Sequence, residues 1–361
     1  MFDFLTGGGR NGPGVRAASG TASFDGQPVN GGVVLDPSID VAAPRHPPVG
    51  EQPAVRPGGP TIGLALGGGV ARGFAHIGIL RTLMRYGLKF DVITGTSIGA
   101  IAGGCYAAGR LDAFEEWARS LTRRRVLGYL DLSLAGSGLI GGMRLAERLN
   151  AMLGATTIDA LPQRFAAIAT EIGTGHEIWL TRGRLADALR ASSSLPGVFA
   201  PARVGGRWLM DGALVNPVPV SVARALGARV VIAVSLNNDL SGRGSVIASH
   251  GADDTDKEVV AMPPPRGLRG VFGAERTLKR QLLGGAGGPG FSTVMMEAIN
   301  ITQDRITRAR LAGDPPDVII KPRLGGIGLI DFHRAADLIA LGEEAAEKAL
   351  DAIIEAVAAL A

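Results

Sequence analysis

Ser97 is the residue whose surroundings best fit nucleophilic chemistry. It is the centre of GTSIG (95–99), which matches the pattern G-x-S-x-G. The β-branched residues 92–94 predict a strand before it, and the small residues that follow predict a helix. A sharp turn between strand and helix exposes the serine oxygen, and Gly95 and Gly99 permit close backbone approach there. The N–H groups and positive dipole end of the helix also point at Ser97.

A second glycine-rich turn, GGGVARG (67–73), lies earlier in the chain. It follows an apolar run that begins at Thr61 and precedes apolar residues at helical spacing, so it too is predicted between a strand and a helix. Acyl transfer to a serine needs hydrogen-bond donors at the tetrahedral oxyanion, and successive glycine amides can supply them. Arg72 is a candidate for holding this loop in shape or for binding an anionic head group.

A glycine loop between a strand and a helix also binds the pyrophosphate of dinucleotides. Here the glycines are spaced G-x-G-x-x-x-G, one residue longer than the fingerprint, and Asp91 precedes the second strand instead of ending it. The G-K-[ST] of a P-loop is absent as well. These departures disfavour a nucleotide site.

A nucleophilic serine needs a base, and Asp211 occupies a position suited to one. In RWLMDGA (207–213) it ends a predicted strand, and Gly212 permits a tight turn. An aspartate acting directly on a serine is a useful base in a polar, partly desolvated setting. The alternative is that Asp211 is an ordinary turn residue. None of the five histidines follows a strand end in this way; they are His46, His76, His176, His250 and His333.

Taken together and in this order, GGGVARG, GTSIG and the DGA at 211–213 resemble the patatin-like phospholipase family in its bacterial form. The resemblance extends over about residues 62–236 and includes ATEIGTGHEIWLTRG and ASSSLPGVFAPARV. It implies a hydrolase with a Ser–Asp dyad and no catalytic histidine. Ser97 would then be the nucleophile that forms the acyl-enzyme, and Asp211 the base and later the proton source.

The resemblance also implies where the oxyanion hole lies. Its amides are expected from Gly67, Gly68, Gly69 and Val70, with Gly68 and Gly69 the first candidates. Arg72 is the basic residue that closes this loop. Many members have glycine where Val70 stands, so the choice among the four amides stays open. The stretch SSSLPGVF (192–199) is implied to line the acyl groove.

The elements around these motifs alternate between strand-like and helical patterns, which predicts an α/β fold with a mostly parallel sheet. The resemblance implies a three-layer α/β/α sandwich around that central sheet. Residues 1–58 are rich in glycine and proline and are predicted to form a flexible leader. The hydrolase domain is expected at 59–361, with the motifs at 62–236, a polar insertion or lid at about 237–290, and a closing strand and helix within 316–361.

Composition excludes several other classes of protein. With 46% hydrophobic and 19% charged residues, the chain of 361 residues can bury a large core. Its single cysteine, Cys105, excludes a disulfide scaffold and a cysteine-rich metal site. The net charge is +4, no dense basic block occurs and aromatic residues make up 5%, which argues against a nucleic-acid partner. We also expect no metal and no cofactor, because no cluster of metal ligands is evident.

Two features bear on membranes. The N-terminal residues lack a basic segment followed by an apolar one, so we recognise no secretory signal and expect a cytoplasmic protein. The uncharged window 92–109 is long enough to span a bilayer, but GTSIG divides it and we interpret it as buried. Residues 266–283 carry five basic residues among apolar ones, and either dock peripherally on an anionic inner-membrane surface or form a solvated helix packed on the core. The oligomeric state is left open, a homo-oligomer included.

The sequence therefore predicts a carboxylic ester hydrolase whose substrate is a phospholipid or another acyl ester. Acyl chains of glycerophospholipids or lysophospholipids are the expected targets. A thioesterase and an aliphatic polyester depolymerase need the same chemistry and remain alternatives. A non-catalytic lipid- or nucleotide-binding regulator is a further alternative, and the presence of both Ser97 and Asp211 argues against it.

Overall fold

The computed structural model describes residues 60–122, 143–236 and 291–360. All of them fall in one compact unit, Glu51–Ala361. The predicted leader at 1–58, the polar insertion at 237–290 and, within it, the basic stretch at 266–283 lie outside the described residues. The described part comprises the region of the three motifs together with the closing strand and helix.

Eight strands form one sheet in this part of the chain. They are β1 (Ile62–Leu66), β2 (Val92–Thr96), β3 (Arg164–Glu171), β4 (Glu177–Leu180), β5 (Ala202–Val204), β6 (Arg207–Asp211), β7 (Val230–Val234) and β8 (Val318–Ile320). Hydrogen-bonded pairing connects the strands in the path β5-β6-β3-β2-β1-β7-β8. Strands β2 and β6 follow one another along the same edge of β3, and β4 pairs with its other edge. Strands β3, β2, β1, β7 and β8 run parallel, whereas β4, β5 and β6 pair antiparallel. The predicted central, mostly parallel sheet is confirmed.

Eight α-helices of the described residues accompany this sheet. They are α1 (Ala75–Arg85), α2 (Ile98–Ala107), α3 (Leu111–Arg119), α4 (Met143–Leu153), α5 (Leu185–Ser192), α6 (Val220–Ala225), α7 (Phe291–Gly313) and α8 (Ala335–Ala358). Short 3-10 helices occur at Val70–Phe74, Ile158–Ala160, Gly212–Leu214 and Phe332–Arg334. The first of these runs directly into α1, so the glycine loop is followed by helix as predicted.

The buried apolar side chains divide into two clusters, one on each face of the sheet. Along β1, Leu64 and Leu66 belong to the larger cluster and Ala65 to the smaller, as the alternation of side chains along a strand requires. Helices α1, α2, α3, α4, α5 and α8 contribute to the larger cluster, and α6 and α7 to the smaller. The sheet is therefore the middle of three layers, which confirms the α/β/α sandwich.

Helix α7 and strand β5 show no sequence pattern that predicts them. The buried positions of α7 include Asn300, Gln303, Asp304 and Thr307. Because this buried face is polar, no apolar helical period marks the helix in the sequence. Strand β5 has three residues, which is too short to produce a recognisable alternation.

The uncharged window 92–109 is divided as predicted. It forms β2, the turn at Ser97 and α2, and nearly all of its residues are buried. None of the described helices is both long and apolar enough to cross a membrane.

Candidate active site

Ser97 lies between the last residue of β2 and the first residue of α2. Its backbone φ is 57°, in the left-handed region that non-glycine residues rarely occupy. The glycines beside it are required by space: a Cβ on Gly99 would lie 2.2 Å from the carbonyl oxygen of Leu66, and one on Gly95 would lie 2.5 Å from Cα of Ala100. The strand, turn and helix predicted around the serine are present, and the turn leaves Ser97 partly accessible.

Asp211 is the hydrogen-bond partner of Ser97. The Ser97 hydroxyl donates to Asp211 Oδ2 at an O–O distance of 2.6 Å, within the short range of hydroxyl–carboxylate bonds. The other carboxylate oxygen, Oδ1, accepts the N–H of Ala213 at 2.9 Å. Asp211 is fully buried. The pair is therefore a fixed, buried carboxylate beside a partly accessible hydroxyl, the arrangement of a base and its nucleophile.

Burial raises the pKa of Asp211 from 3.8 to about 6, because removing a carboxylate from water disfavours its charged form. The hydrogen bonds from Ser97 and Ala213 lower the pKa and so oppose this effect. At neutral pH the carboxylate is still ionised, and it is a stronger base than an exposed aspartate.

The order and register of the sheet explain why Ser97 and Asp211 meet. In β2, Thr96 is opposite Ile168 of β3, and Asp211 of β6 is opposite Ala169. Both strands lie on the same edge of β3, because β4 occupies the other edge over the same residues. Because β2 runs parallel to β3 and β6 runs antiparallel to it, the carboxyl ends of β2 and β6 point at each other. The residue after β2 and the last residue of β6 are thereby brought together across a sequence separation of 114.

The glycine loop passes beside the dyad. A Cβ added to Gly68 would lie 3.6 Å from Cβ of Ser97 and 3.4 Å from Cβ of Ala213, so a side chain at this position would fill the space above the nucleophile. Val70, at the end of the loop, has φ 52°. A β-branched residue in this region is strained, and glycine would occupy the position without that strain.

Of the four amides proposed for the oxyanion hole, two are engaged within the protein. The amide of Gly67 donates to the last carbonyl of β7, and the amide of Gly68 donates to Pro217 O, both at 3.0 Å. Within residues 60–122, 143–236 and 291–360, the amides of Gly69 and Val70 have no acceptor. These two N–H groups are therefore the ones available to a ligand.

Arg72 and His76 hold the glycine loop at two points. Arg72 Nε donates to Ile327 O at 2.9 Å, which ties the loop to the segment before α8. His76 Nε2 donates to Gly67 O at 2.8 Å. His76 is fully buried, and burial lowers its pKa to about 4, so its ring is neutral. His76 therefore acts here as a neutral donor that holds the glycine loop.

Two serines that sequence reasoning missed hold the backbone of the dyad. The Ser97 N–H donates to Ser192 Oγ at 2.9 Å, and the Asp211 N–H donates to Ser194 O at 2.9 Å. The Ser192 hydroxyl donates in turn to Ile168 O at 2.6 Å. Sequence reasoning assigns both serines only to the acyl groove. A hydroxyl side chain at the end of a buried helix is the signal that could have indicated Ser192, whereas Ser194 acts through its backbone carbonyl and carries no such signal.

The other groups considered at this site are metal ligands and the thiol of Cys105. The described residues contain no group of three His, Cys, Asp or Glu side chains placed to hold a metal ion. The thiol of Cys105 is buried in α2, and burial raises its pKa to about 12, which suppresses the reactive thiolate. The candidate nucleophile is therefore Ser97 and not Cys105.

Comparison with known proteins yields one family. Residues 64–224, which include all three motifs, match the family model of patatin-like phospholipase. An uncharacterized NTE family protein of Mycobacterium tuberculosis is 34% identical over 339 residues, covering 81% of this chain and 92% of its own length. The patatin-like phospholipase domain-containing protein 7 of Rattus norvegicus is 35% identical over 201 residues, covering 53% of this chain and 15% of its own length. Among solved structures, VipD from Legionella pneumophila is similar with a TM-score of 0.47 and 14% identity, over 81% of this chain and 67% of VipD.

The chain belongs to the patatin-like phospholipase family, given the family model and the extent of the mycobacterial match. The predicted family is confirmed. Membership indicates a lipid acyl hydrolase at the level of the class.

Proposed function

We propose that the chain is a serine hydrolase of lipid acyl esters, with Ser97 as the nucleophile and Asp211 as the general base. The observation that carries the proposal is the 2.6 Å hydrogen bond between Ser97 Oγ and Asp211 Oδ2, at a turn where Ser97 has φ 57°. A serine hydroxyl is a weak nucleophile and needs an adjacent base. A carboxylate with a pKa of about 6 supplies that base at neutral pH.

In the acylation step, Ser97 Oγ attacks the ester carbonyl carbon while its proton passes to Asp211 Oδ2. The carbonyl oxygen becomes an oxyanion in the tetrahedral intermediate. When the intermediate collapses, the bond between carbon and the alcohol oxygen breaks, and the proton on Asp211 passes to the departing alcohol. The products of this step are the free alcohol, a Ser97 acyl ester and an ionised Asp211.

Deacylation repeats these transfers with water. Asp211 accepts a proton from the water molecule whose oxygen attacks the acyl carbon, and a second oxyanion forms. The bond to Ser97 Oγ then breaks, and the proton returns from Asp211 to the serine. A carboxylic acid leaves and the enzyme is restored, so no histidine or metal ion is needed for the proton balance.

We assign the oxyanion hole to the amides of Gly69 and Val70, with Gly67, Gly68 and Arg72 as its support. The assignment is supported by the hydrogen bonds that already occupy the amides of Gly67 and Gly68. Val70 stands first in the 3-10 helix that leads into α1, where an N–H group has no intrahelical acceptor. Removing one oxyanion donor typically raises the barrier by about 3 kcal/mol.

Acyl chains of glycerophospholipids or lysophospholipids are the substrate class that fits the family. Thioesters and aliphatic polyesters would react with the same groups, so a substrate panel has to contain them. A non-catalytic lipid-binding protein has no physical need for a buried carboxylate beside an accessible serine, since burial of that charge disfavours folding.

The test is the hydrolysis of a panel of p-nitrophenyl esters, acyl thioesters and phospholipid vesicles, combined with intact mass after exposure to a fluorophosphonate. We expect turnover by wild type, a loss of at least about 10³-fold in Ser97→Ala and in Asp211→Asn, and a phosphonyl adduct that Ser97→Ala lacks. Ser193→Ala is the control, because the Ser193 hydroxyl donates to Leu189 O of α5 and not to the dyad. An adduct that persists in Ser97→Ala would contradict the assignment, and folded wild type without turnover or adduct would favour the binding protein.

A further inference from the structure

The hydroxyl of Ser192 stands between the nucleophile turn and the sheet. It accepts the N–H of Ser97 at 2.9 Å and donates to the carbonyl of Ile168 at 2.6 Å. Ser192 is the last residue of α5 and is fully buried. Its side chain therefore connects three elements through one oxygen: α5, β3 and the turn after β2.

The register of the sheet explains what this oxygen replaces. Thr96 is the last residue of β2 and lies opposite Ile168 of β3. In a parallel ladder, the amide after the paired residue faces the opposite carbonyl at every second pair. The bond from the Arg164 N–H to Asp91 O at 3.0 Å places the Thr96–Ile168 pair among these. Here that amide belongs to Ser97, whose backbone has already turned away at φ 57°. The Ser192 hydroxyl lies between these two groups: it accepts from the Ser97 N–H and donates to Ile168 O, in place of the direct ladder hydrogen bond.

A hydroxyl suits this place because it both donates and accepts. Without it, the buried carbonyl of Ile168 and the N–H of Ser97 would each lose a partner, and unpaired buried polar groups are costly. The unusual φ of Ser97 persists only where surrounding contacts hold it. Ser192 provides such a contact at the nucleophile itself, one bond from its Cα.

The same stretch of chain holds the base. The Asp211 N–H donates to Ser194 O at 2.9 Å, and Asp211 lies opposite Ala169, next to Ile168 in β3. The end of α5 is thus hydrogen-bonded to the backbone of both members of the dyad. A change in the Ser192 contact shifts Ser97 relative to an Asp211 that remains in place.

We propose that Ser192 is a positioning residue that holds Ser97 Oγ within reach of Asp211, by relaying the hydrogen bond from the Ser97 N–H to Ile168 O. The inference rests on the proposed function of the dyad. Ser192 is buried and acts only through Ser97, so it affects the proton transfer and not substrate binding.

The kinetic test compares Ser192→Ala with Ser193→Ala. Ser193 is the neighbouring buried serine, and its hydroxyl donates within α5 to Leu189 O, so its loss removes a similar group without touching the dyad. We expect kcat of Ser192→Ala to fall about 10- to 100-fold with KM changed less than about 3-fold, because small displacements of reacting groups cost this much. The rate of fluorophosphonate labelling should fall in parallel, and Ser193→Ala should stay within about 3-fold of wild type.

Two variants of equal shape separate the hydroxyl from packing. Ser192→Thr retains the hydroxyl and Ser192→Val lacks it, while both add the same bulk. We expect Thr to recover most of the kcat that Ala loses and Val to recover none. Equal activity of Thr and Val, or equal losses in Ser192→Ala and Ser193→Ala, would overturn the proposal.

Hydrogen exchange separates a failure of this inference from a failure of the proposed function. Amide exchange in peptides that cover residues 95–101 does not depend on turnover. We expect faster exchange at this turn in Ser192→Ala and in Ser192→Val, but wild-type exchange in Ser193→Ala. Wild type that hydrolyses no ester would refute the proposed function alone, whereas unchanged exchange in Ser192→Ala would refute the relay whatever the activity.

Discussion

At the scale of single residues, Asp211 combines two opposing demands. Full burial raises its pKa to about 6, whereas the hydrogen bonds from Ser97 and Ala213 stabilise the ionised carboxylate and lower the pKa. An exposed aspartate near its ordinary pKa would be a weaker base for a serine proton, and a fully unpaired buried one would be protonated at neutral pH. In the proposed mechanism, this intermediate pKa would let Asp211 accept a proton and return it in each half-reaction.

This pKa predicts how activity depends on pH. The base must be ionised, so we expect log kcat/KM for a p-nitrophenyl ester to rise with a slope of about one below pH 6 and to level off above it. A profile recorded from pH 4.5 to 8.5 checks this. A midpoint near 4, the ordinary value for a carboxyl group, would contradict the buried base.

The same ionisation acts on stability with the opposite sign. The pKa of Asp211 is about 6 in the folded chain and near 3.8 in the unfolded chain, so the group favours folding below pH 3.8 and loses this contribution as the pH rises through 6. The buried charge then costs about 3 kcal/mol. Asp211→Asn carries no charge at any pH, and its free energy of unfolding should therefore rise relative to wild type between pH 4 and 7. Urea titrations at both pH values measure the difference.

At the scale of elements, the glycine loop is held by its neighbours more than by itself. The carbonyl of Gly67 accepts from His76 of α1, the amide of Gly68 donates to Pro217 O, and Arg72 donates to Ile327 O. These partners come from a helix and from two loops far apart in the chain. Because these contacts and the bond from the Gly67 amide to β7 engage polar groups of the loop, they support the proposal that the amides of Gly69 and Val70 form the oxyanion hole.

A change at His76 tests this support. His76→Leu removes the donor to the buried Gly67 carbonyl, whereas His76→Gln keeps an N–H donor on a side chain of similar reach. We expect His76→Leu to lower the free energy of unfolding by about 1–3 kcal/mol and kcat by roughly 10-fold, and His76→Gln to lose less of both. Urea denaturation and ester kinetics provide the measurements. If His76→Leu were as active as His76→Gln, the hydrogen bond from His76 to Gly67 O would not be what shapes the glycine loop.

At the scale of the whole molecule, the closing helix α8 packs against the helix that carries His76. A Cβ on Gly78 of α1 would lie 1.9 Å from Ile339 O, and one on Gly342 of α8 would lie 2.1 Å from Ala75 O. The two backbones thus touch through glycines. The C-terminal part of the described chain therefore sets the position of α1 and, through it, of the glycine loop.

Adding one methyl group at this contact should separate the helices. We expect Gly342→Ala to lower the free energy of unfolding by about 3 kcal/mol, because a backbone carbonyl cannot give way as a side chain can. The matched control is Gly313→Ala in α7, where an added Cβ meets no atom of the described residues within 4 Å and where alanine should be neutral or mildly stabilising. Thermal and urea denaturation of both variants test the expectation. Equal stability of the two variants would contradict close packing of α1 on α8.

Much of the local structure could be predicted because its signals lie within short stretches of sequence. The strand, turn and helix around Ser97 follow from β-branched residues, two glycines and small residues over about a dozen positions. The α/β alternation follows from apolar runs separated by amphipathic segments. Helix α7 was missed for the converse reason, since its buried face carries polar side chains.

The amino-acid sequence by itself determined the turn at Ser97, the glycine loop and the alternation of strands and helices, because each depends on residues adjacent in the chain. Only the tertiary structure decided that Asp211 reaches Ser97, that Ser192 lies between Ser97 and Ile168, and that the amide of Gly68 is already engaged. These contacts join residues separated by 24 to 149 positions, depend on which strands share an edge of β3, and carry no local pattern that a sequence could display.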